Sequence, residues 1–296
     1  MNVIQRVAIV GGVHGNELTG ACLVKKFQQM PVLVQRPSFE TLLLLGNPRA
    51  LQVRQRYVEA DLNRCFSQAI LNSPTADSYE ASQAKSLHQM LGGKGSVGDQ
   101  PADFILDLHS STANMGFTLI LVNEHPHNLK LAAYLTALNA RVRIYRWTSP
   151  GKENAFLNSL CEFGFALEVG PIAQGLLDAE LFQATETVIY AILDYLAALN
   201  QGTPPQCSDR VTVYQHLATM DYPKDEQGDL QAMIHPQLQG RDYEPLFPGD
   251  PMFMTFEGQT IPYAGDTTVH PIFINEAAYY EKGIAMCLTQ KRSIAV

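Results

Sequence analysis

Apolar positions along the chain follow two alternating patterns. Short, mainly apolar runs at 7–10, 42–45, 104–108, 119–122, 142–145 and 165–169 predict buried strands. Between them, Leu23, Phe27 and Met30, then Ala84, Leu87 and Leu91, recur at helical spacing. Leu181, Val188, Ile192, Tyr195 and Leu199 continue that spacing on a long helix, which is predicted to stop near Asn200-Gln201-Gly202. Strands alternating with helices predict an α/β fold with a mixed, largely parallel sheet flanked by helices. From Thr203-Pro204-Pro205 onward the pattern changes. Nine of the 17 prolines lie from Pro204 on, no long helical pattern persists, and short apolar runs at 211–214, 252–256 and 271–274 alternate with turns. The predicted organisation is therefore an α/β domain over 1–202 and a smaller, mostly β domain over 203–296.

Length agrees with this division: 296 residues, at roughly 150 per domain, suggest two domains. Charge narrows the partners. Lys and Arg total 21 against 29 Asp and Glu, a net charge of -8, which argues against nucleic acid as a partner. The five cysteines are dispersed with no Cys-x-x-Cys pair, a pattern of reduced thiols that favours a cytoplasmic protein and no Cys-rich metal site. The run at 7–10 is too short for a signal-peptide core, and the apolar stretch 188–199 contains Asp194 and is too short to span a bilayer. No membrane association is expected.

Candidate chemistry gathers where strands end, the usual location of functional groups in an open α/β sheet. After the first strand comes Gly11-Gly12-Val13-His14-Gly15-Asn16-Glu17, with His14 and Glu17 three apart at a helix entrance. One helical turn would place both on one side. The strand at 104–108 ends at His109, and the strand at 165–169 carries Glu168. Singly these signals are weak. His-x-x-Glu is common by chance, and a lone His109 is more often a hydrogen-bonded structural residue. The glycine turn also suits a phosphate, yet it lacks the G-x-G-x-x-G spacing and the Lys-Ser/Thr of a P-loop. Their coincidence matches a catalytic zinc site, with three N/O ligands and one open position. Arg56, Asp61, Asn63 and Arg64 form a further cluster, suited to carboxylate recognition or, more blandly, to a solvated charged turn.

These segments resemble the aspartoacylases, zinc amidohydrolases related to the metallocarboxypeptidases. Gly11 to Gly20, Asp61-Leu62-Asn63-Arg64, Asp107-Leu108-His109 and Leu167-Glu168-Val169-Gly170-Pro171 match in order, as do His235-Pro236 and Asn275-Glu276-Ala277-Ala278-Tyr279-Tyr280-Glu281-Lys282. The resemblance implies one Zn2+ per chain on His14, Glu17 and His109, with Asp61 orienting the first histidine. It implies that Arg56 polarises the scissile carbonyl and that Asn63 with Arg64 holds the substrate α-carboxylate. Glu168 would act as general base and then acid, and Tyr279 would close over the substrate. Asp107, two before His109, is left open between a role beside the metal and a structural one. A homodimer or larger homo-oligomer is implied as well.

Substrate choice is where the sequence departs from the family. The arginine that aspartoacylases place ten residues before the catalytic glutamate is Asn158 here, the tyrosine four before it is Asn154, and a lysine after Tyr-Tyr-Glu-Lys is Gly283. The expected function is zinc-dependent deacylation of an N-acyl-L-amino acid, N-acetyl-L-aspartate plus water giving acetate and L-aspartate. The alternative is the related aminoacylase branch, acting on N-acyl aromatic amino acids or mercapturates. A remoter alternative is a non-catalytic protein binding an anion or nucleotide. Lys152, Lys282, Arg141, Arg143 and Arg146 are the cations expected to compensate if aspartate is the substrate.

Overall fold

The computed structural model describes residues 3–147 and 155–296, so Lys152 and Asn154 lie outside the described residues. All six strands expected in the first two thirds are present: β1 (Arg6–Gly11), β2 (Glu40–Leu45), β3 (Phe104–Ser110), β4 (Gly116–Leu121), β5 (Val142–Arg146) and β6 (Phe163–Gly170). So are the expected helices, α1 (Leu18–Gln29), α4 (Tyr79–Leu91) and α6 (Ala179–Asn200). The short helices α2 (Pro48–Val53) and α3 (Gln68–Asn72) and the longer α5 (Pro126–Leu138) were not anticipated. His125-Pro126-His127 forms the start of α5. His125 caps the helix by accepting from His127 N, Pro126 takes the first helical position, and both imidazoles pack half-buried against Phe163.

Later in the chain lie β7 (Arg210–Met220), β8 (Ala232–Ile234), β9 (Pro251–Thr255), β10 (Thr260–Pro262), β11 (His270–Ile272) and β12 (Met286–Ala295). Nine strands form one sheet in the order β11-β12-β7-β5-β4-β6-β3-β1-β2, and β10-β9-β8 form a small second sheet. Within the large sheet β2, β1, β3 and β6 run parallel; β4 turns antiparallel against β6, and β5 and β7 follow β4 in parallel. The architecture is mixed α/β with a mostly parallel sheet and a β-rich C-terminal part. Strands β7, β12 and β11 lie beyond residue 203, yet they extend the same sheet. β12 escaped the sequence pattern because its second half, Gln290 to Ser293, is polar and exposed. It is held there by antiparallel pairing with β7 over its whole length.

The core explains the layering. One face of the sheet packs Val7, Ile9, Leu106, Phe165 and Leu167 against α1, α5 and α6; the opposite face packs Ala8, Val10 and Ile105 against Leu87 and Leu91 of α4. Residues that alternate along β1 and β3 thus feed two separate cores, as the period of two in a strand requires. Among the described residues no helix is long and apolar enough to cross a membrane.

Candidate active site

Three strand ends meet at one cavity. β1 leads into the turn 12–17, where Gly12 adopts φ +69°, a conformation that other residues rarely take. Glu17 is the residue before α1 and has non-helical φ and ψ. His14 and Glu17 are therefore joined by a tight turn, Glu17 N to His14 O at 3.3 Å, and not by the helical turn expected. The turn can lie flat because Gly15 has no Cβ: one built there would sit 2.0 Å from the Ala50 carbonyl carbon of α2.

Within this turn the His14 Nδ1 lies 2.6 Å from Glu17 Oε1. From the end of β3, His109 Nδ1 lies 2.9 Å from Glu17 Oε2 and 3.2 Å from His14 Nδ1. The three residues are buried and their ligand atoms lie within 4.8 Å of one another, the one such group among the described residues. The outer nitrogens are both occupied by carboxylates: His14 Nε2 by Asp61 at 3.1 Å and His109 Nε2 by Asp107 at 2.8 Å. Each carboxylate favours the tautomer that leaves Nδ1 as a lone pair. Two imidazole lone pairs and a carboxylate facing one another repel unless positive charge lies between them, either a metal ion or, without one, a proton. Bonds of ~2.0–2.1 Å to a tetrahedral ion put ligands ~3.3 Å apart, close to the nitrogen spacing seen here. The donor set fits a divalent metal such as zinc. Asp107, left open by the sequence, is fully buried and aligned with His109 by the strand period.

Electrostatics follow from this packing. Burial opposes charge on Glu17, but His14 and His109 outweigh it and hold the carboxyl well below the usual range. Asp61 is likewise buried yet kept low by His14 and Arg56. Burial would lower His109, and Asp107 and Glu17 raise it well above its ordinary value. Glu168 behaves oppositely: burial, then Glu17, push it up to about 8. It faces the cavity from β6, paired in register with His109 on β3.

The remaining candidates surround the same space. A cavity of about 60 Å³ is lined by His14, Glu17, Arg56, Asn63, Arg64 and His109 from one side, and by Asn158, Glu168 and Tyr279 from the other. Arg56 reaches Glu17 Oε1 at 3.1 Å and Asp61 Oδ2 at 3.2 Å. Asn63 spends much of its amide on the framework, donating to Asp107 Oδ2 at 3.1 Å and accepting from Leu157 N at 2.7 Å. Arg64 donates to Asn63 O at 2.8 Å and lies over the Phe156 ring. Asn158 is 2% exposed, and its Nδ2 has no hydrogen-bond partner. Tyr279 packs against Phe273 at 5.3 Å between ring centroids. The cavity thus brings together every residue expected to touch metal or substrate, with Asp61 directly behind His14.

The contacts of two residues were not anticipated. Glu276, buried at the cavity wall, accepts from Ser111 Oγ, from Thr112 N at 2.7 Å and Oγ1 at 3.0 Å, and from Ala278 N at 3.0 Å, tying the C-terminal part to the loop after β3. Lys282, expected among the cations that could compensate for the missing arginine, is paired with Asp61 at 2.8 Å. Nothing in sequence spacing links residue 276 to 111 or 282 to 61.

Next to this cavity is a second of about 80 Å³, sharing Arg64, Phe156, Phe273 and Tyr279 and walled by Tyr145 and Trp147. Arg141, Arg143 and Arg146 line neither space; Arg141 lies over Phe117, Arg143 bonds to its own backbone region and Arg146 bonds to Leu121 O.

Comparison with known proteins agrees along the chain. Residues 3–196 match the succinylglutamate desuccinylase/aspartoacylase catalytic domain, and residues 209–291 match the AstE/AspA barrel-sandwich hybrid domain. A probable aspartoacylase of Acaryochloris marina is 59% identical over 100% of this chain and 99% of its own. The N-acyl-aromatic-L-amino acid amidohydrolase (carboxylate-forming) of Rattus norvegicus is 42% identical over 99% of this chain and 92% of its own. The crystal structure of murine aminoacylase 3 superposes with a TM-score of 0.94 at 40% identity, covering 100% of this chain and 98% of that one.

Proposed function

The chain belongs to the succinylglutamate desuccinylase/aspartoacylase family, and from that premise we propose that it is a zinc-dependent amidohydrolase removing the acyl group from N-acyl-L-amino acids. The observation that carries this reading is the convergence of His14, Glu17 and His109 with Glu168 on the neighbouring strand of one cavity. His14, Glu17 and His109 would hold the ion, which when bound supplies an activated water and a Lewis acid for the scissile carbonyl. Glu168 takes a proton from the water and delivers it to the departing amine; burial and the Glu17 charge raise its carboxyl, and a divalent ion bound beside it would draw it back toward the ionised form that a base needs. Arg56 donates to the oxygen on which negative charge develops. Arg64, with Asn63 beside it, clamps the α-carboxylate, and Tyr279 closes the cavity from the C-terminal part. Residues 1–202 act as the catalytic domain and 203–296 as a cover.

For the amino-acid side chain, we favour an apolar or aromatic group over aspartate. Arg56 and Arg64 are the only Arg or Lys side chains lining the cavity among the described residues, and both are assigned to the reacting end. Lys282 lines the adjoining space but is paired with Asp61, and the rest of that wall is mainly Tyr145, Trp147, Phe156, Phe273 and Tyr279 with Ile120 and Ile284. N-acetylaspartate is the second reading, favoured by the names of the cyanobacterial relatives.

The test combines metal analysis with a substrate panel. Purified protein should carry about one zinc per chain, as a site with three protein ligands does, and His109→Ala none. Glu168→Gln should keep zinc and lose roughly 10²–10⁴ in kcat. N-acetyl aromatic amino acids should exceed N-acetylaspartate in kcat/KM, and Asn158→Arg should move the ratio toward N-acetylaspartate by about tenfold or more, as hydrogen bonds to charged groups are worth ~1.5–3 kcal/mol. A zinc-free active enzyme refutes the mechanism; wild-type preference for N-acetylaspartate refutes the side-chain assignment.

A further inference from the structure

Glu80 on α4 lies outside the cavity, yet its carboxylate gathers the loop that carries Arg56. It is fully buried, in a helix whose inward face otherwise packs Ala84, Leu87 and Leu91. Its Oε1 accepts from Asn47 Nδ2 at 3.1 Å and Val58 N at 2.7 Å, and its Oε2 from Glu59 N at 3.1 Å and Ala60 N at 3.0 Å. Three successive backbone N–H groups wrap one carboxylate, which makes a nest of residues 58–60. Glu59 returns the contact by accepting from Tyr79 N at 2.5 Å. A charged group placed where an apolar one would pack costs free energy unless it is fully satisfied, as this one is.

The loop has Arg56 on one flank and Asp61 on the other. Arg56 O accepts from Gly15 N at 3.2 Å, so the backbone of Arg56 is tied to the turn between His14 and Glu17. Asn47, the donor to Glu80, also caps α2 by accepting from Ala50 N at 3.1 Å, and Ala50 is the residue packed under Gly15. Glu80 therefore anchors both supports of Arg56: the loop that follows it and, through Asn47, the helix beneath its neighbour.

We infer that Glu80 is a positioning residue for Arg56, holding the guanidinium in place relative to the metal-binding turn without touching substrate. This rests on the role given above to Arg56. Removing the nest's acceptor lets residues 58–60 relax, and displacements of about 1 Å at a reacting group cost up to roughly a hundredfold in rate. Glu80→Gln preserves shape but offers an NH2 to Glu59 N and Ala60 N, or to Val58 N and Asn47, depending on its orientation.

The experiment is a double-mutant cycle, with kcat, KM, zinc content and melting temperature for wild type, Glu80→Gln, Arg56→Ala and the double variant on one N-acetyl amino acid. Glu80→Gln should lower kcat by roughly ten- to a hundredfold, with KM nearly unchanged and one zinc retained. The double variant should be no slower than Arg56→Ala alone, because the effect of Glu80 passes through Arg56. Multiplying losses, loss of zinc in Glu80→Gln, or unchanged kcat in Glu80→Gln beside a crippled Arg56→Ala overturns this inference alone. Wild-type kcat in Arg56→Ala overturns the role of Arg56 and the inference with it. Should Glu80→Gln not fold, Val58→Pro, which deletes the shortest backbone donor at an exposed position, must give the same kcat loss with zinc retained, and wild-type kcat there overturns the proposal.

Discussion

Glu168 and Glu17 are the same residue type in one cavity, and their surroundings drive them apart. Two imidazoles keep Glu17 charged, whereas Glu168 has burial and the Glu17 charge against it and rises from 4.5 to about 8. Divergent carboxyls of this kind separate a ligand from a proton carrier. The shift has a consequence for stability. Glu168 holds its proton more tightly folded than unfolded, so its contribution to folding is fully present below pH 4.5 and is lost as pH rises through about 8. In metal-free protein, Glu168→Gln should therefore melt above wild type at pH 8, with the gap closing toward pH 5. Melting curves at the two pH values decide it: a wild type that outlasts the variant at pH 8 contradicts the account.

At the level of elements, the site depends on how closely the turn after β1 approaches α2. Gly15 lets the two backbones touch, and its N–H bonds to Arg56. Gly15→Ala puts a methyl against the Ala50 carbonyl, which cannot move without shifting α2 as a unit. The expected cost is about 1–3 kcal/mol, the range for overpacking, read as a melting temperature several degrees lower. Zinc affinity should fall as well, because the same shift separates His14 from Glu17. An unchanged melting temperature and zinc affinity would mean that α2 yields freely.

For the whole molecule, the C-terminal strands complete the sheet. β7 pairs with β5, and Tyr145 on β5 is buried in a cluster with Tyr214, Tyr243, Ile272, Phe273 and Cys287. Val211 and Val213 of β7 enter the main core. A chain ended at residue 202 would expose that cluster and leave β5 as an unprotected edge. It should aggregate or lack a cooperative melt, measured by size-exclusion chromatography and circular dichroism. A monomeric, cooperatively melting fragment would show that the catalytic part folds without its cover.

Much was legible in sequence because it is local. A strand's apolar run, a helix's spacing and the residue that follows a strand are written within a few positions, so β1 to β6, α1, α4 and α6 could be read, along with His14, Glu17, His109 and Glu168 as strand-end chemistry. The family resemblance added the roles of Arg56, Asn63, Arg64 and Tyr279. Contacts between distant positions were not legible. Glu276 on Ser111, Lys282 on Asp61 and Glu80 on residues 58–60 arise only when separate elements are packed together. The second half of β12, Gln290 to Ser293, carried no apolar signal because pairing with β7, and not burial, makes it part of the strand. Sequence by itself determined which chemistry this chain can assemble, since side-chain types and local periodicity are intrinsic to it. Tertiary structure decided which nitrogen each histidine presents, which carboxyl is driven upward and which cations are already paired, because each depends on the charges and burial that folding imposes.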